Sequence, residues 1–242
     1  MKSWQWSLAV FAFTFIMVKV FNIPLVPFLI VFMPLSVFLL TYLSFNYSFR
    51  KSIEMERVPA KGYESRLASL DKAAADMLPL GFVKKNAFYL KTIPDSVTYI
   101  LKHETLPVYL DIHNLGPRQI YVFMTFFEGG YELTTNSSAS GGMIPRPPKK
   151  LTQSFENMPC DRMLDEHLKS VEFMKTKGIK AQDMPYDTLR RDFKKRYLEV
   201  SSHVKSFSFW PVRLIVWTIT SRGKVHRRPI EEQYAMGIVK GF

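Results

Sequence analysis

Two long apolar runs, separated by a three-residue turn, open the chain. The first extends from Trp4 to Phe21 and the second from Leu25 to Phe45, and the second run contains no charged side chain. A helix needs roughly 20 apolar residues to cross the hydrocarbon core of a bilayer, with about 17 as the lower limit. Both runs meet that length, and Pro24 disfavours a helical conformation at the residue before it. We therefore predict a transmembrane helical hairpin over residues 1–48.

The basic residues around these runs predict the orientation of the hairpin. Lys2 precedes the first run, whereas Arg50, Lys51, Arg57 and Lys61 follow the second, and the connection has only Lys19 close by. Because Lys and Arg favour the cytoplasmic side, both termini should be cytoplasmic. Two alternatives are a cleaved signal peptide, which would need a small-x-small cleavage site that the chain lacks, and two helices buried in a soluble core.

The remainder of the chain is basic. The formal net charge is +12, and residues 1–49 contain only two of the 33 basic residues and none of the 21 acidic ones. A basic domain beside a membrane is expected to attract anionic lipid headgroups; nucleic acid is the less favoured partner. The single cysteine, Cys160, excludes an intramolecular disulfide and a cysteine-based zinc site, as expected of a reducing compartment.

We predict a charged neck over 49–62, which could continue the second helix, and an α+β domain over 63–242. Helical periodicity is present from Glu64 to Leu78, with Gly81 as a stop signal, and from Asp161 to Lys177, with Asp161 as N-cap and Gly178 as stop. A further helix is predicted from Pro185 to Val204. The apolar stretch 207–219 is too short to span a bilayer.

Alternating or continuously apolar segments predict the strands. Because the connections between them are short, we expect an antiparallel sheet of four or five strands with helices packed on it. The strand over 119–127 is apolar on both faces, which is typical of a strand covered on both sides. Residues 136–150, rich in Ser, Gly and Pro, are predicted as a loop. The predicted strands cover 86–92, 97–103, 107–113, 119–127 and 131–135.

Three short motifs resemble those of a class of uncharacterised bacterial membrane-anchored proteins. They are an aromatic-x-Gly hairpin with a Leu-Thr-Thr strand (127–136), a Pro-rich loop (145–148) and a His-containing helix (165–167). The resemblance implies an N-terminal two-helix hairpin, an α+β domain and a location in the bacterial inner membrane. It implies no activity.

The sequence contains no phosphate-binding glycine motif, nucleophile elbow or zinc-protease motif. Asp111 and His113 lie two residues apart on one face of a strand, where a carboxylate could orient an imidazole. A membrane-bound hydrolase with a site near Asp111, His113 and His167 is therefore an alternative function. A ligand-sensing domain, which needs an apolar pocket, is another.

A helix start with several polar side chains is a weaker candidate site. Asp161, Asp165 and His167 could contribute to a metal site if the fold added His113 or another histidine, and Cys160 could have a lowered pKa there. Capping and solvation explain these residues equally well. We therefore assign no catalytic residue, no metal and no cofactor.

The strongest functional signal is a cationic amphipathic helix followed by a segment rich in Trp and Arg. Such a helix beside a bilayer is typical of surface binding, and Trp with Arg suits headgroup depth. We predict a non-enzymatic, membrane-anchored interaction or assembly module with a protein partner or a second copy of itself. The alternative is that these residues form the solvated outer face or the core edge of the domain. The predicted lipid or partner contacts are Arg190, Arg191, Lys194, Lys195, Trp210, Arg213 and Trp217.

Overall fold

The computed structural model describes Lys19 and residues 25–48, 55–58, 62–90, 96–115, 118–138 and 144–240. The chain divides into two compact units, Met1–Ser48 and Phe49–Phe242. In the first unit, helix α1 spans Leu25–Ser48 and coincides with the second apolar run, whereas the first run lies outside the described residues except for Lys19. None of the helices within the described residues satisfies the length and hydropathy that a membrane span requires.

The second unit has α+β architecture, as predicted, but its sheet is larger than expected and mixed. Strands β1 to β7 are neighbours in chain order, and β8 pairs with the end of β5. All pairs are antiparallel except β6 and β7, which run parallel. The strands are β1 Met55–Arg57, β2 Phe82–Leu90, β3 Ser96–His103, β4 Val108–Leu115, β5 Arg118–Phe127, β6 Glu132–Asn136, β7 Lys150–Ser154 and β8 Ala181–Gln182.

The prediction of four or five antiparallel strands is wrong for two physical reasons. The connection over 137–149 is longer than the dozen or so residues that a parallel return needs, so β7 can lie parallel to β6. In addition, β1 lies within the neck, where the sequence left a helical continuation open. It pairs with the end of β2, and the Tyr89 hydroxyl donates a hydrogen bond to Glu56 at 2.5 Å.

The three predicted helices of the second unit, α2 to α4, lie close to their predicted bounds, and two further helices, α5 and α6, follow them. Pro159 is the N-cap residue of α3, so the prediction of Asp161 as N-cap is wrong. Asp161 lies in the first turn of the helix, where the helix dipole stabilises a carboxylate. Gly178 follows α3 with a φ of 81°, as a helix stop requires. The helices are α2 Glu64–Ala75, α3 Cys160–Thr176, α4 Tyr186–Lys205, α5 Trp210–Ile219 and α6 Ile230–Ala235.

Helices cover both faces of the sheet. On one side, the α3 face, Phe123 and Phe127 of β5 pack in clusters with residues of α2, α3 and α6. On the other side, the α4 face, Val122, Met124 and Phe126 pack with Leu189 of α4. The prediction that β5 is covered on both sides is confirmed. This alternation also decides which polar side chains of the sheet can meet each other.

Candidate functional site

Helix α4 carries the basic residues predicted to bind lipid. Leu189, Val200 and Val204 are buried on its inner side, which fixes the rotation of the helix. The segment before it is held against the sheet, because Lys102 forms an ion pair with Asp183 at 2.6 Å. Arg191 and Lys195, which lie at other helical angles, are exposed to solvent.

A solvent-facing groove of about 750 Å³ lies between α4 and the loop that contains Pro147. Three basic residues line it, and Glu199 is the single acidic residue among the lining residues that the structure describes. Its excess of positive charge suits an anionic partner. We name it the basic groove; its lining residues are Pro147, Arg191, Lys194, Lys195, Leu198, Glu199, Ser202 and His203.

The predicted cations differ in their settings within the groove. The Arg191 side chain is 76% exposed and its Nε lies 3.4 Å from an Asp192 carboxylate oxygen. Lys195 is exposed, and Lys194 is partly buried. The side chain of Arg190 lies outside the described residues. Because surface pairs such as Arg191–Asp192 contribute little, Arg191 can exchange that contact for an anionic ligand.

A second groove, of about 560 Å³, adjoins the first and shares Pro147, Lys195 and Glu199 with it. The two cations at its inner end, Lys150 and Arg196, share one carboxylate. Glu132 accepts a 2.7 Å ion pair from Lys150 and lies 3.8 Å from Arg196. The inner cations therefore form ion pairs within the fold, whereas Arg191 and Lys195 of the basic groove are exposed to solvent.

Helix α5 presents a different set of side chains from the one predicted. Trp210 and Trp217 are partly buried, and the Trp217 ring centroid lies 6.0 Å from that of His226, so this indole faces the domain. Arg213 is exposed, with its guanidinium carbon 4.2 Å from the centre of the Phe207 ring. The apolar side chains that reach solvent are Phe209, Val212 and Val216.

Asp111 and His113 do lie side by side on the α4 face. The His113 Nε2 is 4.0 Å from an Asp111 carboxylate oxygen, and Nδ1 shares a 2.7 Å hydrogen bond with the Thr98 hydroxyl. Burial raises the pKa of Asp111 to about 7, against the opposing effect of Arg196, and lowers the pKa of His113 to about 4. The pair is thus electrically neutral over much of the acidic range.

His167 lies on the opposite face of the sheet. Its Nε2 is 2.9 Å from the Thr125 hydroxyl and its Nδ1 is 2.7 Å from the Thr135 hydroxyl. Thr125 lies on the α3 face of β5, whereas His113 is paired with Ile120 on the α4 face. The three residues of the hydrolase alternative therefore do not converge.

The metal and cysteine candidates have structural roles or ordinary chemistry. Both ring nitrogens of His167 are engaged by hydroxyls, so neither is directed at Asp161 or Asp165. Among the described residues, no group of three or more potential metal ligands comes together. Burial, with Asp161 and Asp76 nearby, raises the pKa of the Cys160 thiol to about 11, which is the opposite of the shift that a reactive thiol needs.

Sequence reasoning missed the exposed apolar residues of α5. Residues 207–219 are apolar almost throughout, so periodicity alone did not fix which side of the helix faces the domain. The spacing of Phe209, Val212 and Val216 at i, i+3 and i+7 was the available signal.

Compared with models of protein families, with curated proteins and with solved structures, the chain has no match.

Proposed function

We propose that the chain is a membrane-anchored, non-enzymatic interaction or assembly module whose basic groove faces anionic lipid headgroups. In this proposal residues 1–48 cross the bacterial inner membrane twice, and residues 49–242 lie on the cytoplasmic side. The charge-free run from Leu25 to Phe45 supports the anchor. So does the exposure of four large apolar side chains of α1, namely Leu35, Val37, Leu39 and Leu43.

The observation that carries the proposal is the arrangement of Arg191, Lys194 and Lys195 around one open groove. Each basic residue near an anionic leaflet contributes about 1 kcal/mol of binding free energy. Three such residues therefore contribute about 3 kcal/mol, or roughly a hundredfold in partitioning. That energy is sufficient to orient a domain that is already tethered to the membrane.

The test is a charge reversal within the groove. We expect Arg191→Glu, Lys194→Glu and Lys195→Glu together to weaken binding of residues 49–242 to phosphatidylglycerol-containing vesicles by at least about a hundredfold at low salt. Binding of the unmodified fragment should fall steeply with added salt, because surface charges are screened. Vesicle co-sedimentation measures both effects, after circular dichroism has established that each fragment is folded.

A matched control changes the net charge equally on the other side of the sheet. Lys72, Arg162 and Lys175 are exposed on α2 and α3, and their reversal to Glu should reduce binding much less than the groove variant does. If both variants lose vesicle affinity equally, the binding depends on the net charge of the fragment and not on the basic groove. An unmodified fragment that does not bind at low salt would remove lipid from the proposal.

A further inference from the structure

Helix α5 has one side that packs on the domain and one that does not. Pro211 and Leu214 are buried, whereas Phe209 is 84% exposed, Val212 47% and Val216 41%. Val212 and Val216 lie one turn apart on the same face of α5, and Phe209 is the N-cap residue immediately before that helix. We name Phe209, Val212 and Val216 the apolar ridge.

Phe209 is also held in an unusual backbone conformation. Its φ of 51° places it in the left-handed region, which costs an L-residue about 1 kcal/mol or more. Because the Phe209 side chain is 84% exposed, packing within the domain does not compensate for this conformational free energy. It does direct the aromatic side chain outward from the N-terminus of α5.

The surroundings of the ridge carry one sign of charge. Between Glu199 and Glu231 the sequence contains six Lys and Arg residues and no Asp or Glu. Lys205 and Arg213 are exposed beside the start of α5. Exposed apolar side chains rimmed by cations match the interface of an anionic bilayer, where the ridge would enter the acyl boundary and the cations would meet phosphate.

We propose that the apolar ridge inserts into the headgroup–acyl boundary of an anionic bilayer, with Arg213 and Lys205 at phosphate depth. The inference rests on the proposed function for the choice of a membrane as partner, but it concerns different residues and a different kind of contact. Nucleic acid would use the cations and leave Val212 and Val216 in water, so lipid is the partner that accounts for the whole surface.

The experiment uses the full chain in nanodiscs of phosphatidylcholine, with or without phosphatidylglycerol. In a Cys160→Ser background, Ser208→Cys carries an environment-sensitive fluorophore beside the ridge without altering it. We expect the emission to shift to the blue, and lipid-borne nitroxides to quench it, in anionic discs. The same label at Leu78→Cys, a 58% exposed position at the end of α2, should show neither change.

Two ridge variants separate insertion from charge attraction, because both leave the charge unchanged. Phe209→Ser, Val212→Ser and Val216→Ser together should abolish quenching of the 208 label. Replacement of the same three residues by Leu should preserve it. If quenching persists in the serine variant, or if the label responds only to an aqueous quencher, the insertion is wrong.

The groove variant distinguishes this failure from failure of the proposed function. If reversal of Arg191, Lys194 and Lys195 weakens vesicle binding while the serine ridge variant binds and quenches as the unmodified chain does, the groove stands and the insertion falls. A response of the 208 label to a duplex or single-stranded oligonucleotide, without a response to anionic discs, also overturns the insertion and assigns the surface to nucleic acid.

Discussion

Three ionisable side chains of the sheet region have strongly shifted pKa values: the buried Asp111 and His167, and His113, whose side chain is 24% exposed. Asp111 is 7% exposed and His167 is fully buried, and burial brings the pKa of Asp111 to about 7 and those of His113 and His167 to about 4 and about 3. All three shifts favour the neutral form. The folded domain therefore releases or takes up protons differently from the unfolded chain between about pH 3 and pH 7.

Asp111 and the histidines affect stability in opposite directions. The pKa of Asp111 is higher in the folded state than its ordinary value, so its contribution to stability is present below about pH 4 and is lost as the pH rises toward 7. The histidines have lower pKa values in the folded state. The unfolded chain therefore binds more protons at these two residues below about pH 6.5, and acid destabilises the fold through them.

We predict that Asp111→Asn stabilises the domain at pH 8 by up to a few kcal/mol and has little effect at pH 4. Each pKa unit corresponds to about 1.4 kcal/mol, and the amide stays neutral where the carboxyl must ionise. Urea unfolding of residues 49–242 between pH 4 and pH 8 measures the difference. The exposed Asp165→Asn is the control and should leave the profile unchanged; parallel curves for Asp111→Asn and the unmodified fragment would contradict the prediction.

At the level of elements, one glutamine joins three parts of the fold. The Gln153 side chain on β7 donates to the Thr135 hydroxyl of β6 at 2.9 Å. Its carbonyl oxygen accepts from the Ser170 hydroxyl of α3 at 2.8 Å and from the Ile230 amide at the start of α6 at 3.1 Å. Because the Ser170 hydroxyl and the Ile230 amide are buried, both depend on Gln153 for their hydrogen bonds, whereas the Thr135 hydroxyl also bonds to His167.

We predict that Gln153→Ala destabilises the domain by about 2–4 kcal/mol, because a buried donor without a partner costs roughly 1–3 kcal/mol. Amide hydrogen exchange should accelerate first over 230–239, where α6 loses its attachment to β7. Gln182→Ala is the matched control: Gln182 is exposed and donates to the Phe127 carbonyl at 3.2 Å, and its loss should cost less than 1 kcal/mol. Uniform exchange across the domain in Gln153→Ala would contradict a local role.

The elements with strong periodicity were predictable, and the polar strand β6 was predictable from the glycine turn before it, but the polar strands β1 and β7 were not. Helices α2, α3 and α4 and strands β3 to β5 lie within a few residues of their predicted bounds because burial on one or both faces leaves a clear apolar pattern. Strand β7, Lys-Leu-Thr-Gln-Ser, has a single apolar residue, and β1 is the charged tripeptide Met-Glu-Arg. Both are strands because of their neighbours, which a local pattern does not show.

The candidate site was predictable to a similar degree. The cations of α4 could be found because the helix is strongly amphipathic, so its outer side is evident from the sequence. The spacing of the apolar ridge was visible in the sequence, but the side of α5 that faces solvent was not, because Trp210 and Phe209 are both apolar. The burial of Pro211 and Leu214 determines which side of α5 faces solvent, and this burial depends on the tertiary structure.

For the whole molecule, the important fact is that the second unit contains its own core. The buried residues of the three hydrophobic clusters lie between Leu70 and Ile230, and the partly buried residues packed on them extend from Val58 to Val239. The unit therefore has the apolar burial that an independently folding domain needs.

We predict that residues 49–242 unfold in a single cooperative transition when separated from residues 1–48. A shorter fragment, 63–242, lacks β1 and its pairing with Phe88–Leu90, and should unfold at a lower denaturant concentration. Chemical denaturation followed by circular dichroism compares the two fragments. A broad, non-cooperative transition of 49–242 would mean that the second unit requires the first 48 residues to fold.

The bond between Gln153 and the Ile230 amide joins residues 77 positions apart, and this separation has a consequence during synthesis. During translation, β7 leaves the ribosome long before α6 has been synthesised. Until then, the side-chain carbonyl oxygen of Gln153 can accept a hydrogen bond from Ser170 but not from Ile230. The cluster that contains Leu151 and Val171 then lacks one of its buried members, Ile230. Chaperones that bind nascent chains would therefore encounter the domain without α6. A chain terminated before residue 230 would lack α6 permanently.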